Sequence, residues 1–154
     1  MSNNFNIREA SPNDLHIVMH HRRSMFIDMG HHDKLKLDAM ETTSNPFFAK
    51  AFNDGSYKAW FIEDNGKVIA GGGILIFDYH SSPVFPLPKR PLIVNVYTEK
   101  AYRRKGLAKK LMQIMIDWCK NNGFGAVTLH ASDEGRPLYE KIGFVPTNEM
   151  KLIL

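Results

Sequence analysis

A single cysteine, Cys119, is all that these 154 residues contain. No internal disulfide can form, and no thiolate metal cluster can be built from one sulfur, which points away from a stapled secreted domain. No apolar run approaches the roughly 20 residues that a membrane helix needs. The opening Met1-Ser2-Asn3-Asn4 has no basic stretch leading into an apolar one, so no secretory signal is expected. These absences lead to the expectation of a cytoplasmic protein with no membrane partner. Phosphate motifs are missing too. There is no G-x-x-x-x-G-K-[ST], so the chain is not a P-loop protein, and no G-x-G-x-x-G, so it has no dinucleotide fingerprint. Gly71-Gly72-Gly73 lies within an expected strand and reads as a bulge or a place of close approach.

Acid is absent from one stretch in particular. Between positions 100 and 110 stand Lys100, Arg103, Arg104, Lys105, Lys109 and Lys110, with no acid among them. A local basic patch implies an anionic partner. It is small and lacks interleaved aromatics, so a phosphorylated small molecule suits it better than nucleic acid.

What is present orders itself as mixed α/β within a single domain, residues 1–154. Phe5 to Glu9 reads as a first strand. Ser11-Pro12-Asn13-Asp14 opens a helix with Leu15, Val18, Met25, Phe26 and Met29 at helical spacing and Gly30 as its stop. A weaker helical stretch covers 33–40, and Asn45-Pro46 suggests a fresh start for a short helix to Asp54-Gly55. Tyr57 to Glu63 and Lys67 to Phe77 read as a hairpin turned by Asn65-Gly66. A proline-rich loop at 81–88 precedes Leu92 to Thr98, an apolar, β-branched run suited to a central strand. The strongest helix spans about Arg104 to Asn121, with Leu107, Leu111, Ile114, Met115 and Trp118 as its stripe. Strands at 126–130 and 149–154 and a short helix from Arg136 to Lys141 complete a sheet of six to seven strands with about four helices.

A buried strand that runs into a basic, glycine-containing turn and then a long helix can hold phosphate. The first helical N–H groups have no internal partner, and the helix dipole adds positive potential there. Gly106 permits close approach, and Ala108 keeps the next inward position small.

Arg103-x-x-Gly106-x-Ala108 after a strand resembles the R/Q-x-x-G-x-G/A signature of the GNAT superfamily of N-acetyltransferases. Pro137-Leu138-Tyr139-Glu140-Lys141-Ile142-Gly143-Phe144 resembles a second element of that family. The likeness is detailed from Leu92 to Leu154; before that only the element order agrees. It implies a mostly antiparallel sheet with a splayed parallel pair, acetyl-CoA as donor, and direct transfer to a primary amine of a small molecule or peptide. It also implies residue roles. Backbone N–H groups of Arg104, Lys105, Gly106, Leu107, Ala108 and Lys109 would bind the coenzyme A pyrophosphate, with Arg103 in support. The main chain of Val96, Tyr97 and Thr98 would pair with the pantetheine arm and polarise the acetyl carbonyl. Tyr139 would protonate the leaving thiolate, since its reference pKa of about 10 exceeds that of a thiol at about 8.5. Ser132 stands where the family often has Asn; its hydroxyl either donates to the pantetheine or caps the next helix.

The acceptor side is less defined. No glutamate lies in Leu92 to Thr98, where some family members keep one, so His130 is the available general base, or else a structural residue. Asn95 could position a water. Asp28, Asp33 or Glu41 could meet an ammonium and Arg22 or Arg23 a carboxylate, the alternative being ordinary surface charge. His16 and His20 stand one helical turn apart, but no H-E-x-x-H completes a metal site and none is expected. Cys119 reads as a packed thiol. Competing with the enzyme are a non-catalytic acyl-CoA-binding, regulatory module and a small nucleic-acid-binding domain. The oligomeric state stays open, a homodimer included.

Overall fold

Five strands and four α-helices form two layers of helix around one sheet in a computed structural model that describes residues 4–154. The strands are β1 (Asn6–Glu9), β2 (Tyr57–Asp64), β3 (Lys67–Asp78), β4 (Lys89–Thr98) and β5 (Thr128–Leu129). They lie in the order β1-β2-β3-β4-β5. The first three pairings are antiparallel and β4–β5 is parallel. The expected hairpin is present, with Asn65 (φ 50°) and Gly66 (φ 81°) both left-handed, the backbone that a two-residue type I′ turn requires.

The helices are α1 (Leu15–Asp28), α2 (Lys34–Asp54), α3 (Leu107–Asn121) and α4 (Arg136–Ile142). α1 starts from a 3-10 turn over Pro12–Asp14. There the Ser11 N–H donates to the Asp14 carboxylate at 2.8 Å, and Arg8 grips the same carboxylate through two bonds of 2.9 Å. The Arg8 guanidinium holds the Asp14 carboxyl below its ordinary pKa. α2 begins at Asp33, whose carboxylate accepts from the Leu35 and Lys36 N–H groups, and ends at left-handed Gly55. The break expected at Asn45-Pro46 does not occur: α2 runs through Pro46. Proline removes one ladder bond. Leu37, Phe48 and Ala51, buried on either side of it, keep the helix seated.

Val18, Met19, Phe48, Ala51, Tyr57, Ala59 and Phe61 make the core between the sheet and α1–α2. On the opposite face, Leu111, Met112 and Met115 of α3 are completely buried over Ile62, Ile69, Ala70 and Ile74. Each such side chain contributes about 2–3 kcal/mol of apolar burial. The triple glycine sits where the two cores press in. A Cβ at Gly71 would come within 2.7 Å of Phe61 and 2.9 Å of His21, and one at Gly73 would overlap the Tyr57 ring.

The strand count is corrected from six or seven to five. The expected strand at 126–130 contracts to Thr128–Leu129, and 149–154 forms no ladder. Met150, Leu152, Ile153 and Leu154 are exposed. Apolar side chains alone do not make a strand; a ladder partner is needed, and two-residue β5 presents too short an edge. No helix among the described residues is long and apolar enough to cross a membrane.

Candidate functional site

β4 and β5 separate almost as soon as they meet. Leu92 pairs with Thr128 and Ile93 with Leu129, and there the ladder ends. Just beyond, Asn95 takes φ 60°, and the register with β3 shifts between Gly71 and Gly73. This is a bulge: Asn95 and Val96 together oppose Gly72. Asparagine tolerates the left-handed backbone better than most residues. β4 therefore bends away from β5, and its edge from Val94 to Thr98 faces a gap beside Leu129 to Ala131.

At the far end of that edge the chain turns into α3. Glu99 and a 3-10 turn over Lys100–Tyr102 lead to Arg104 (φ 63°) and Gly106 (φ 76°). The Lys110 N–H closes the first helical bond onto the Gly106 carbonyl at 3.2 Å, so the N–H groups of Leu107, Ala108 and Lys109 have no helical acceptor. Nothing lies within 4 Å of where a Gly106 Cβ would stand. The turn is thus a cradle of unpaired donors, open to solvent, with Arg104, Lys105 and Lys109 exposed around it. A diphosphate fits such a donor set. Arg103 is different: its Nε donates to the Thr98 carbonyl at 2.9 Å, and Nη2 bonds Asp28 at 2.5 Å.

On the other side of the gap, Ser132 opens the turn that precedes α4. Its hydroxyl accepts from the Gly135 N–H at 3.1 Å, and its carbonyl from the Arg136 N–H at 2.9 Å, so the residue braces the turn that leads into α4, whose N-cap is Gly135. Tyr139 is the fourth residue of α4, half-buried, with its ring edge-on to Phe144 at 6.1 Å. Burial pushes its hydroxyl above the ordinary tyrosine value. A cavity of about 330 Å³ holds Tyr139 together with Leu129, His130, Ala131, Phe144 and Glu149. His130 is exposed, as is Glu149, 3.8 Å from it.

The opposite face of the bulge gathers a second set of groups. The Asn95 side chain is buried; its amide nitrogen donates to the Tyr57 hydroxyl at 3.0 Å, and its oxygen accepts from Arg22 Nη1 at 2.8 Å. Burial drives the Tyr57 hydroxyl up to about 12, which keeps it neutral. Arg22 and Asn95 are therefore neighbours. Asp28, expected beside them, instead holds Arg103, with Lys100 at 3.9 Å. Arg23 is tied to Asp38 and Glu41 at 2.9 Å each.

Two histidines here stand differently from the solvated helix-face residues that the sequence suggested. His21 is buried against Tyr97, ring centroids 5.2 Å apart, and edge-on to Phe61. Burial, helped by His20, pushes it down to about 4. His20 meets the Glu99 carboxylate at 2.8 Å. Only helical spacing, with His21 on the same side as Val18, could have signalled the buried one. Cys119 is buried, and burial raises its thiol to about 11, which leaves it protonated and unreactive.

Comparison with known proteins agrees with this arrangement. The solved GCN5-related N-acetyltransferase from Ralstonia eutropha JMP134 superposes with a TM-score of 0.93 at 32% identity, covering 98% of this chain and 99% of that one. A predicted acetyltransferase from Clostridium acetobutylicum, solved with acetyl-CoA, superposes with a TM-score of 0.89 at 25% identity, covering 97% and 96%. The uncharacterized N-acetyltransferase YjgM of Escherichia coli (strain K12) is 31% identical over 98 residues, 62% of this chain and 55% of that protein. The chain thus matches about half the length of such curated relatives. The family pattern described as "Acetyltransferase (GNAT) family" matches residues 18–144, and the chain belongs to that family.

Proposed function

We propose that this chain transfers an acetyl group from acetyl-CoA to a primary amine, directly, in a ternary complex. The observation that carries the reading is the gap that opens between β4 and β5 after Ile93, leading to the open turn at Gly106. One end of that path offers unpaired N–H groups for a diphosphate, and its wall offers a free strand edge for an extended, amide-bearing arm. Val96 and Tyr97 at the bulge supply main-chain N–H donors for the acetyl oxygen, on which negative charge grows during attack.

The step itself is acyl substitution. The neutral amine nitrogen forms a bond to the thioester carbonyl carbon, the carbon–sulfur bond breaks, and the electron pair leaves on sulfur. Tyr139, kept protonated by burial, delivers a proton to that sulfur, while the amine gives up one of its own to a base or water. His130 lines the same cavity as Tyr139 and is the base we assign. Ser132 supports α4, and through it Tyr139.

Thiol release from acetyl-CoA, followed over a panel of amines, tests this. A rise in melting temperature with acetyl-CoA, and free thiol that appears only when a suitable amine is added, is the expected result. Tight CoA binding with no thiol release from any amine would point instead to a non-catalytic, regulatory acyl-CoA-binding module.

A further inference from the structure

Arginine side chains that are drawn out of water in this protein have carboxylates to meet them, with two exceptions. Arg8 holds Asp14 and Glu63, Arg23 holds Asp38 and Glu41, and Arg103 holds Asp28. Arg22 and Arg90 each leave a buried Nε with no hydrogen-bond partner among the described residues. Arg90 lies further back along β4, clasped between the rings of Tyr79 and Phe85 at 4.1 and 4.3 Å. Arg22 is more loosely flanked, 5.0 Å from the Phe48 ring and 5.5 Å from that of Phe26.

The surroundings of Arg22 are neutral. Its hydrogen bond goes to the Asn95 amide oxygen, and the Asn95 amide in turn binds Tyr57, which is fully protonated at neutral pH. Asp28, the nearest acid in sequence, is taken by Arg103. A partly desolvated guanidinium with a neutral acceptor and an orphan N–H lacks the counter-charge that buried cations ordinarily have. Burial accordingly disfavours its charge, yet arginine does not lose its proton in proteins. The missing partner is an anion.

Place decides which anion. Asn95 is the bulge residue that precedes Val96. Covalent geometry and the 2.8 Å bond to Asn95 keep Arg22 Nη1 within about 9 Å of the Val96 N–H. That is the span of a small molecule whose amine and acid lie a few bonds apart. The phosphates of the donor belong further along the chain, past the end of β4, at the Gly106 turn.

We propose that Arg22 is the anion-recognition residue of the acceptor site, and that the acceptor is a small amine carrying a carboxylate or phosphate. The proposal rests on the acetyltransferase reading and names its acceptor class. Arg22 binds the anion through its Nη side, the part of the guanidinium that is not sealed in as Nε is, while Asn95 holds the guanidinium in register with the bulge.

Matched pairs of amines test it: glycine and β-alanine against their carboxamides, and phosphoethanolamine against ethanolamine. Binding to CoA-saturated protein is read by calorimetry and turnover by thiol release. Each anionic member is expected to bind and react about 10- to 100-fold better than its neutral counterpart. The carboxylate and phosphate arms say which anion is preferred. Arg22→Gln should remove that preference through KM, with CoA affinity unchanged, and Arg22→Lys should restore part of it. Equal binding of acids and neutral partners by the native protein overturns the proposal. So does an Arg22→Gln variant that weakens both members of every pair alike, because that is the mark of a packing role. Should Arg22→Gln fold poorly, the comparison of pairs on native protein decides alone. Failure of CoA itself to bind would sink the acetyltransferase reading instead, and would be seen before any amine is added.

Discussion

The Asp28 carboxylate, at the last residue of α1, accepts a hydrogen bond of 2.5 Å from Arg103, whose Nε also donates to the Thr98 carbonyl. One guanidinium thus ties the end of α1 to the end of β4 and the turn before α3. Both groups are largely covered, with side-chain exposures of 30% and 20%. Arg103 is the first residue of the family signature, and here its work is to fix the approach of the turn, while the backbone beyond it is left to bind.

Arg103→Ala should therefore weaken CoA binding modestly, by about tenfold or less, comparable to the loss of one ion pair near the surface. Gly106→Val should weaken it far more, because a side chain forced onto left-handed backbone (φ 76°) and into the open cradle both strains the turn and blocks it. Calorimetric titration of CoA into the two variants separates these. Loss of binding in Arg103→Ala with the turn intact would mean that the side chain, not the backbone, is the grip.

Gly73 and Gly106 differ in why they are glycine, and stability measures the difference. An added Cβ at Gly73 would overlap the Tyr57 ring, which packs between Phe48 and Phe52 and bonds Asn95. Gly73→Ala should cost about 1–3 kcal/mol by overpacking. Gly106→Ala meets open space and should cost only the backbone strain, about 1–2 kcal/mol, with the m-value unchanged in both. Urea unfolding at neutral pH reads both costs, and an undisturbed Gly73→Ala would show that the Tyr57 ring can move aside.

Much of this arrangement was legible because it is local. Asn65-Gly66, the start at Pro12, the stripe of α3 and the strand–turn–helix at Arg103 to Ala108 each state their structure within a few residues, and each is present. What failed depends on distant partners. Pro46 sits inside a helix because Phe48 and Ala51 find a core on the sheet. The apolar run 149–154 has no strand to pair with. In the candidate site, Arg22 and Asn95 are 73 residues apart in the chain, and the diversion of Asp28 to Arg103 depends on where α1 ends relative to β4. Charge and residue type suggested the participants; only packing chooses the pairs.

His21 should make the fold acid-sensitive. Its folded-state pKa is pushed down to about 4 from an ordinary 6.5, first by burial and then by neighbouring His20, with Glu99 opposing. The unfolded chain takes up the proton first, so the stabilising contribution is full above about 6.5 and is lost as pH falls through the window to about 4. The loss amounts to as much as about 3 kcal/mol. His21→Leu should flatten the stability profile between these limits while leaving the carboxylate-driven loss at lower pH. Denaturant melts across pH 4 to 7 check it; an unchanged slope would assign the acid sensitivity elsewhere.

Tyr139 carries the opposite sign. Burial raises its pKa, so the hydroxyl stays protonated through neutral pH, as a proton donor to a departing thiolate must. Ionisation in the unfolded chain begins near the ordinary value of about 10, so the stability that Tyr139 contributes is present below that pH and lost as pH rises toward its folded pKa. Catalysis should follow the folded value: kcat holds across neutral pH and falls on a basic limb as the hydroxyl ionises. Tyr139→Phe keeps the ring against Phe144 and removes only the hydroxyl. Turnover should drop about 10²- to 10⁴-fold, the Kd for CoA should stay within about threefold, and any residual rate should lose that basic limb. A Phe variant with native turnover would mean that solvent, not Tyr139, protonates the thiolate.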